Sequence, residues 1–354
     1  MAKQRFLLFC LLFLAHRPFA QNALPAQDPG LNNLVHPKGY LAGKIGALGA
    51  VKKYGHAPKS MILLPGLGFG AEVFDAFIRH YKKTFTLYLI TPAGFAGTPA
   101  PPMPDSAVTY AQLSWTNSLV NGILALMEKE KITRPVIVAH FVTATQVALQ
   151  LAANHPDKIG KVIILSGSPY RYYPSQKNGQ WDDWVNEQKL SPEQRTKLVE
   201  DFWAPQWFKT VTKKTWDDNM WTPDDYCRDP ATGKQLFQSS AEVPLPVMIR
   251  YLLEWMAYDP NPQYRTLRTP TLVLLPDFKN LLTPTESSNV EVCKNVAAKQ
   301  YLRYFHQVAW QSAKDSGNAF FQFQTVPDTR IFMWLDNPES VYQFINKFLG
   351  CSNY

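Results

Sequence analysis

Cysteine is scarce, with four in 354 residues, and none has the C-x-x-C spacing of a zinc or thioredoxin-type site. No cluster of His and Cys suggests a metal, so neither a metal nor a cofactor is expected. Charge is also sparse, at 18% of residues. The net charge of +8 is mild for this length and forms no Lys/Arg stripe, so nucleic acid is not implied as a partner. No apolar run reaches the roughly 20 residues that a membrane span needs. Internal repeats and low-complexity tracts are absent. At 46% apolar the chain is ordinary for a globular protein and long enough to bury a large core.

What is present starts with a targeting pattern. Residues 1–20 carry Lys3 and Arg5, then an apolar run from Phe6 to Ala15, then Phe19-Ala20-Gln21. A basic start, a short apolar stretch and a small residue at the end make a secretory signal peptide. Export to the periplasm or the exterior is expected, with no membrane span left after its removal. Cys227, Cys293 and Cys351 would then sit in an oxidising compartment. They are read as buried or incidental thiols, or as one Cys293–Cys351 bridge with Cys227 left over.

Residues 21–59 are rich in Pro, Gly and Asn and read as a leader and early turn-rich segment. Beyond them, short apolar runs end repeatedly in turn residues: Ser60–Leu64, Phe85–Ile90, Pro135–Ala139, Lys161–Leu165, Thr271–Leu275 and Phe320–Val326. Helical spacing of apolar residues lies between them, in Leu113–Lys131 and Thr145–Asn154, and again at the end in Val341–Leu349. This alternation predicts an α/β fold with a mostly parallel sheet covered by helices on both faces. It stops between Pro169 and Pro270. The predicted plan is therefore a core made of residues 60–169 and 269–354, interrupted by a helical cap at 170–268. Seven of the ten tryptophans fall in that cap: Trp181, Trp184, Trp203, Trp207, Trp216, Trp221 and Trp255. Cap packing explains them; alternatively Trp184, Trp203, Trp207 and Trp255 line a pocket for an apolar small molecule.

Four landmarks in order resemble the α/β-hydrolase fold family. They are Leu63-Leu64-Pro65-Gly66-Leu67-Gly68, Thr91-Pro92-Ala93-Gly94-Phe95-Ala96-Gly97, Val136-Ile137-Val138-Ala139-His140-Phe141-Val142-Thr143-Ala144, and Phe332-Met333-Trp334-Leu335-Asp336-Asn337-Pro338-Glu339. The resemblance implies a strand–elbow–helix that presents a nucleophile, with oxyanion-type amides from Leu67 and Val142. It also implies a histidine after the last strand and an acid after the strand before it.

The sequence departs from that pattern where the chemistry lies. The G-x-S-x-G elbow reads Ala139-His140-Phe141-Val142-Thr143, so Phe141 holds the nucleophile position. A benzyl group cannot attack a carbonyl. The base position falls on Ile331, in Arg330-Ile331-Phe332, and isoleucine accepts no proton. Phe141 and Ile331 should be buried together, flooring the former catalytic pocket. Asp277 occupies the acid position, where it is either a triad acid without a histidine or a turn residue after Pro276. Ser166, Ser168, Thr143 and Thr145 lie near the elbow but not at its tip. Of the seven histidines, His140 reads as a core residue and His80 and His155 sit at helix ends. His306, in an insertion, is a remote candidate base. Two functions compete. One is a catalytically degenerate hydrolase-fold protein that binds an apolar small molecule or partner. The other is an active ester or amide hydrolase with a non-standard centre using His306, Asp277 and a serine.

Overall fold

A computed structural model describes the backbone of residues 48–169, 173–177, 180–185, 191–219, 221–282 and 290–351. The side chains of residues 173–185, 192, 195, 217–219, 290–295, 297 and 298 lie outside the described set. The expected signal peptide and most of the leader fall outside it, as do the side chains of Trp181, Trp184 and Cys293.

Seven strands form the central sheet: β1 (Ala50–Tyr54), β2 (Ser60–Leu64), β3 (Thr86–Thr91), β4 (Val136–His140), β5 (Lys161–Leu165), β8 (Thr271–Pro276) and β9 (Phe321–Val326). Their spatial order is β1-β3-β2-β4-β5-β8-β9. Only β1 runs antiparallel to its neighbour; every other pairing in this sheet is parallel. Every residue of β3, β4 and β8 is buried. Helices cover both faces of these strands, so their sequences are continuous apolar runs rather than alternations. Side-chain parity divides the interior in two. Met61, Leu63, Val138 and Ile163 belong to one apolar cluster, and Ile62, Leu64, Ile137 and Ile164 to the other.

Strand β1 lies inside the segment read from sequence as a leader. Its sequence Ala-Val-Lys-Lys-Tyr is largely exposed, and Lys52 and Lys53 guard the sheet edge. An edge strand of this kind has no apolar run to announce it.

Between β5 and β8 the chain leaves the sheet. It first makes a two-stranded hairpin, β6 (Tyr173–Lys177) with β7 (Gln180–Val185), and then a series of helices. The hairpin is a difference from the all-helical expectation. The longest helix of the series, Leu245–Ala257, is buried along its whole length. Three of its side chains bind the core. Tyr251 donates to the Ala93 carbonyl at 3.0 Å, and Trp255 Nε1 to the Ser168 carbonyl at 2.8 Å. Glu254 accepts from the Trp115 and Thr116 amides at 3.0 and 2.8 Å, and from the Thr116 and Ser114 hydroxyls. It therefore caps the start of the core helix Ser114–Lys129, whose own flanking residue Leu113 supplies no side-chain cap. Arg250, one turn earlier, neutralises the Glu254 charge at 2.9 Å.

Candidate active site

Strand β4 runs directly into the helix Phe141–Asn154 through a sharp turn. Phe141 has φ 62° and Val142 has φ 30°, ψ −102°. Left-handed backbone costs a residue with a Cβ about 1–2 kcal/mol. The turn is tight enough that the loop after β2 presses on it. A Cβ placed on Gly66 would lie 2.5 Å from the His140 carbonyl oxygen and 2.6 Å from Phe141 Cβ. Leu67, one of the two expected oxyanion-type positions, follows that glycine. Val142, the other, follows Phe141. The backbone has the shape that displays a nucleophile, and it displays a phenyl ring.

Ile331 is fully buried, as is Phe141, and both lie in one continuous apolar cluster. Ile331 sits in a loop tied down from several directions. Its amide donates to the Asp225 carbonyl at 3.1 Å, and the next amide, Phe332, to the Tyr226 carbonyl at 2.9 Å. Asp277 holds the same loop from beneath: its carboxylate accepts from the Asp328 and Thr329 amides at 2.9 and 3.1 Å, and from Lys279 at 3.0 Å. The side chain at the acid position thus orients a loop rather than a histidine. It is more than the turn residue that its place after a proline suggests. Asp336 completes the lacing, accepting from the Arg330 amide at 2.7 Å, the Arg228 amide at 2.7 Å and the Cys227 thiol at 3.0 Å. Burial, helped by Asp336, pushes the Cys227 thiol up to about 12.

His306 is the histidine that the fold brings to the elbow. It ends the helix Val290–His306, is fully buried, and lies nearly parallel to the Phe141 ring at 5.8 Å between centroids. Its Nδ1 is 2.9 Å from the Ser166 carbonyl. A carbonyl only accepts, so Nδ1 carries the proton and Nε2 presents a lone pair, which has no partner. Burial pushes its pKa down to about 4. His140 is also fully buried, packed among Phe69, Phe332 and Trp334 at 6.3, 4.5 and 4.7 Å. Burial outweighs the help it gets from the Ile331 backbone and takes it to about 3.

Sequence reasoning did not single out Trp221. Its ring meets Phe141 edge-on at 4.8 Å. Trp203 and Trp207 pack on each other at 5.6 Å, and Trp207 on Trp216 at 5.8 Å, which is cap packing. Trp255 stacks on Phe305 at 5.9 Å, next to His306. Trp184 lies on β7, its side chain outside the described set. Cys227 and Cys351 are free thiols, so the Cys293–Cys351 bridge is not formed. Cys227 donates to Asp336, and Cys351 follows the C-cap Gly350 of the helix Pro338–Leu349.

No protein-family model matches the chain. Solved structures do. An enol-lactonase from Burkholderia xenovorans LB400 shares 17% identity over 85% of this chain and 96% of its own, with a TM-score of 0.55. A hydrolase from Pseudomonas aeruginosa PA01 shares 13% over 85% and 94%, at 0.56. A thermophilic esterase from Thermogutta terrifontis shares 15% over 85% and 92%, at 0.53. With the sheet order and the elbow above, these likenesses give the chain the α/β-hydrolase fold.

Proposed function

We propose that this α/β-hydrolase-fold protein is exported, does not act as a Ser-His-Asp hydrolase, and holds an apolar small molecule or partner beneath its aromatic cap. The observation that carries the reading is Phe141: a buried phenyl ring on the strained backbone where the fold presents its nucleophile. A carbon side chain there cannot attack a carbonyl, and Ile331 cannot relay a proton. Fold by itself does not decide activity. The esterase and lactonase likenesses bear on where a ligand would sit, since pockets in open α/β sheets lie at the carboxyl ends of the strands.

A second reading has one observation behind it, the placement of His306 against the elbow residue. A centre built on His306 would need a nearby hydroxyl. Burial, which outweighs the support of the Ser166 carbonyl, makes it a poor base at neutral pH.

The test is ester hydrolysis, with labelling by a serine-directed phosphonate, on four proteins: wild type, Phe141→Ser, Ile331→His and the double variant. Wild type and both single variants should stay at background. The double variant should gain weak activity at most, because Val142 and Thr143 crowd the elbow. Wild-type turnover that survives Phe141→Ala and disappears on His306→Ala would overturn the degenerate reading and move the chemistry to His306. Export is tested by sequencing the N-terminus of the extracytoplasmic protein, which should begin near Gln21; a retained Met1 would refute it.

A further inference from the structure

Four rings form a closed circuit at the elbow. Phe141 meets Trp221 at 4.8 Å, Trp221 meets Phe305 at 5.8 Å, Phe305 meets His306 at 6.4 Å, and His306 returns to Phe141 at 5.8 Å. Two members carry polar atoms with no partner: Trp221 Nε1 and His306 Nε2. Both residues are more than nine-tenths buried, at 5% and 0% exposure. Burying a polar group without a hydrogen bond is costly, and this circuit holds two. Their characters are fixed and opposite. The indole nitrogen can only donate. His306 donates through Nδ1 to the Ser166 carbonyl, which leaves Nε2 only able to accept.

We propose that this circuit binds the hydroxyl end of a neutral apolar molecule, a phenol or an alcohol, whose oxygen accepts from Trp221 Nε1 and whose proton goes to His306 Nε2. The inference rests on the binding reading above and narrows its ligand class. One hydroxyl offers one donor to one acceptor and takes one donor in return. A primary amide would bring a second N–H and a further lone pair, more than these two atoms can pair. A carboxylate brings only acceptors and would face the His306 lone pair, because burial keeps that imidazole neutral.

The experiment is titration calorimetry with shape-matched probes: p-cresol, toluene, p-toluate and p-toluamide, on the full mature chain and on the Trp221→Phe and His306→Phe variants. The expected result is p-cresol binding at least about tenfold tighter than the other three, one good hydrogen-bond pair being worth about that factor. Trp221→Phe should lower p-cresol affinity about tenfold and leave toluene within about twofold. Toluene binding as tightly as p-cresol overturns the hydroxyl assignment and leaves the apolar pocket standing. Tighter binding of p-toluate or p-toluamide also overturns it. No binding of any probe overturns both the assignment and the pocket. Should a variant fail to fold, the order of the four probes on the unmodified protein decides by itself.

Discussion

The elbow and the loop that carries Ile331 hold their backbones in different ways. At the elbow a sharp turn is kept, with φ 62° at Phe141 and Gly66 pressed against it. At the loop, hydrogen bonds to carboxylates and a carbonyl hold the backbone. Asp277, Asp336 and the Asp225 carbonyl all hold backbone amides of residues 328–331. The elbow's shape is set by a strand joining a helix inside a packed sheet, which leaves the turn no alternative path. The loop's shape is set by side-chain acceptors, and these can be assigned to other donors. Left-handed backbone occurs on both sides, at Phe141 and Val142 in the elbow and at Asp328 in the loop, but only the loop is laced by side-chain acceptors.

The largest expected effect tests the elbow. Phe141→Ala should cost about 3–5 kcal/mol by opening a cavity among Trp221, His306 and His140. Phe141→Gly should cost about 1 kcal/mol less than Phe141→Ala, since glycine adopts positive φ without penalty. Urea unfolding of the two variants checks the order, and the reverse order would show that the elbow is unstrained.

Acid should strike the same side next. His140 and His306 are held neutral, with values near 3 and 4, while the unfolded chain titrates near 6.5. Stability is full above pH 6.5. As pH falls below that value the unfolded state takes up protons that the folded state refuses. The loss should be about 1.4 kcal/mol per pH unit per histidine, and should level off near pH 4 for His306 and near pH 3 for His140. Unfolding free energies at pH 7 and 5 check this, and His140→Leu should roughly halve the drop.

The loop should respond more modestly. Asp277→Asn replaces a charged acceptor of three amides and should cost about 1–2 kcal/mol; a loss near zero would return Asp277 to a plain turn residue. The smallest effect is chemical. Cys227 should resist alkylation at pH 8 in the folded protein while Cys351 reacts, because its thiol donates to Asp336 and ionises only near 12. Peptide mapping after a short iodoacetamide pulse reads the difference.

Much of this was legible in the residues. β2, β4, β5 and β8 announce themselves because burial on both faces leaves no room for polar side chains. Motif order singles out Phe141 and Ile331, and the structure buries both. β1 stayed hidden because a half-exposed edge carries lysines in place of an apolar run. The bond between Asp277 and the next loop links positions about fifty residues apart and has no local signature. Trp221 was one of seven cap tryptophans, and which of them touches the elbow depends on a chain path that no spacing encodes. His306 could be noticed as unplaced, but only the fold sets it against Phe141.

The carboxylate of Glu254 has a consequence for the order of assembly. It closes the first turn of a helix that begins 140 residues earlier, at Ser114. A ribosome adding about 5–20 residues per second needs on the order of ten seconds to cover that stretch. Through that interval the nascent helix start carries open amides, and the core strands β2 to β5 have emerged without the piece that finishes them. The cap is therefore no ornament added to a completed sheet. The helix start is satisfied only once residue 254 is in place.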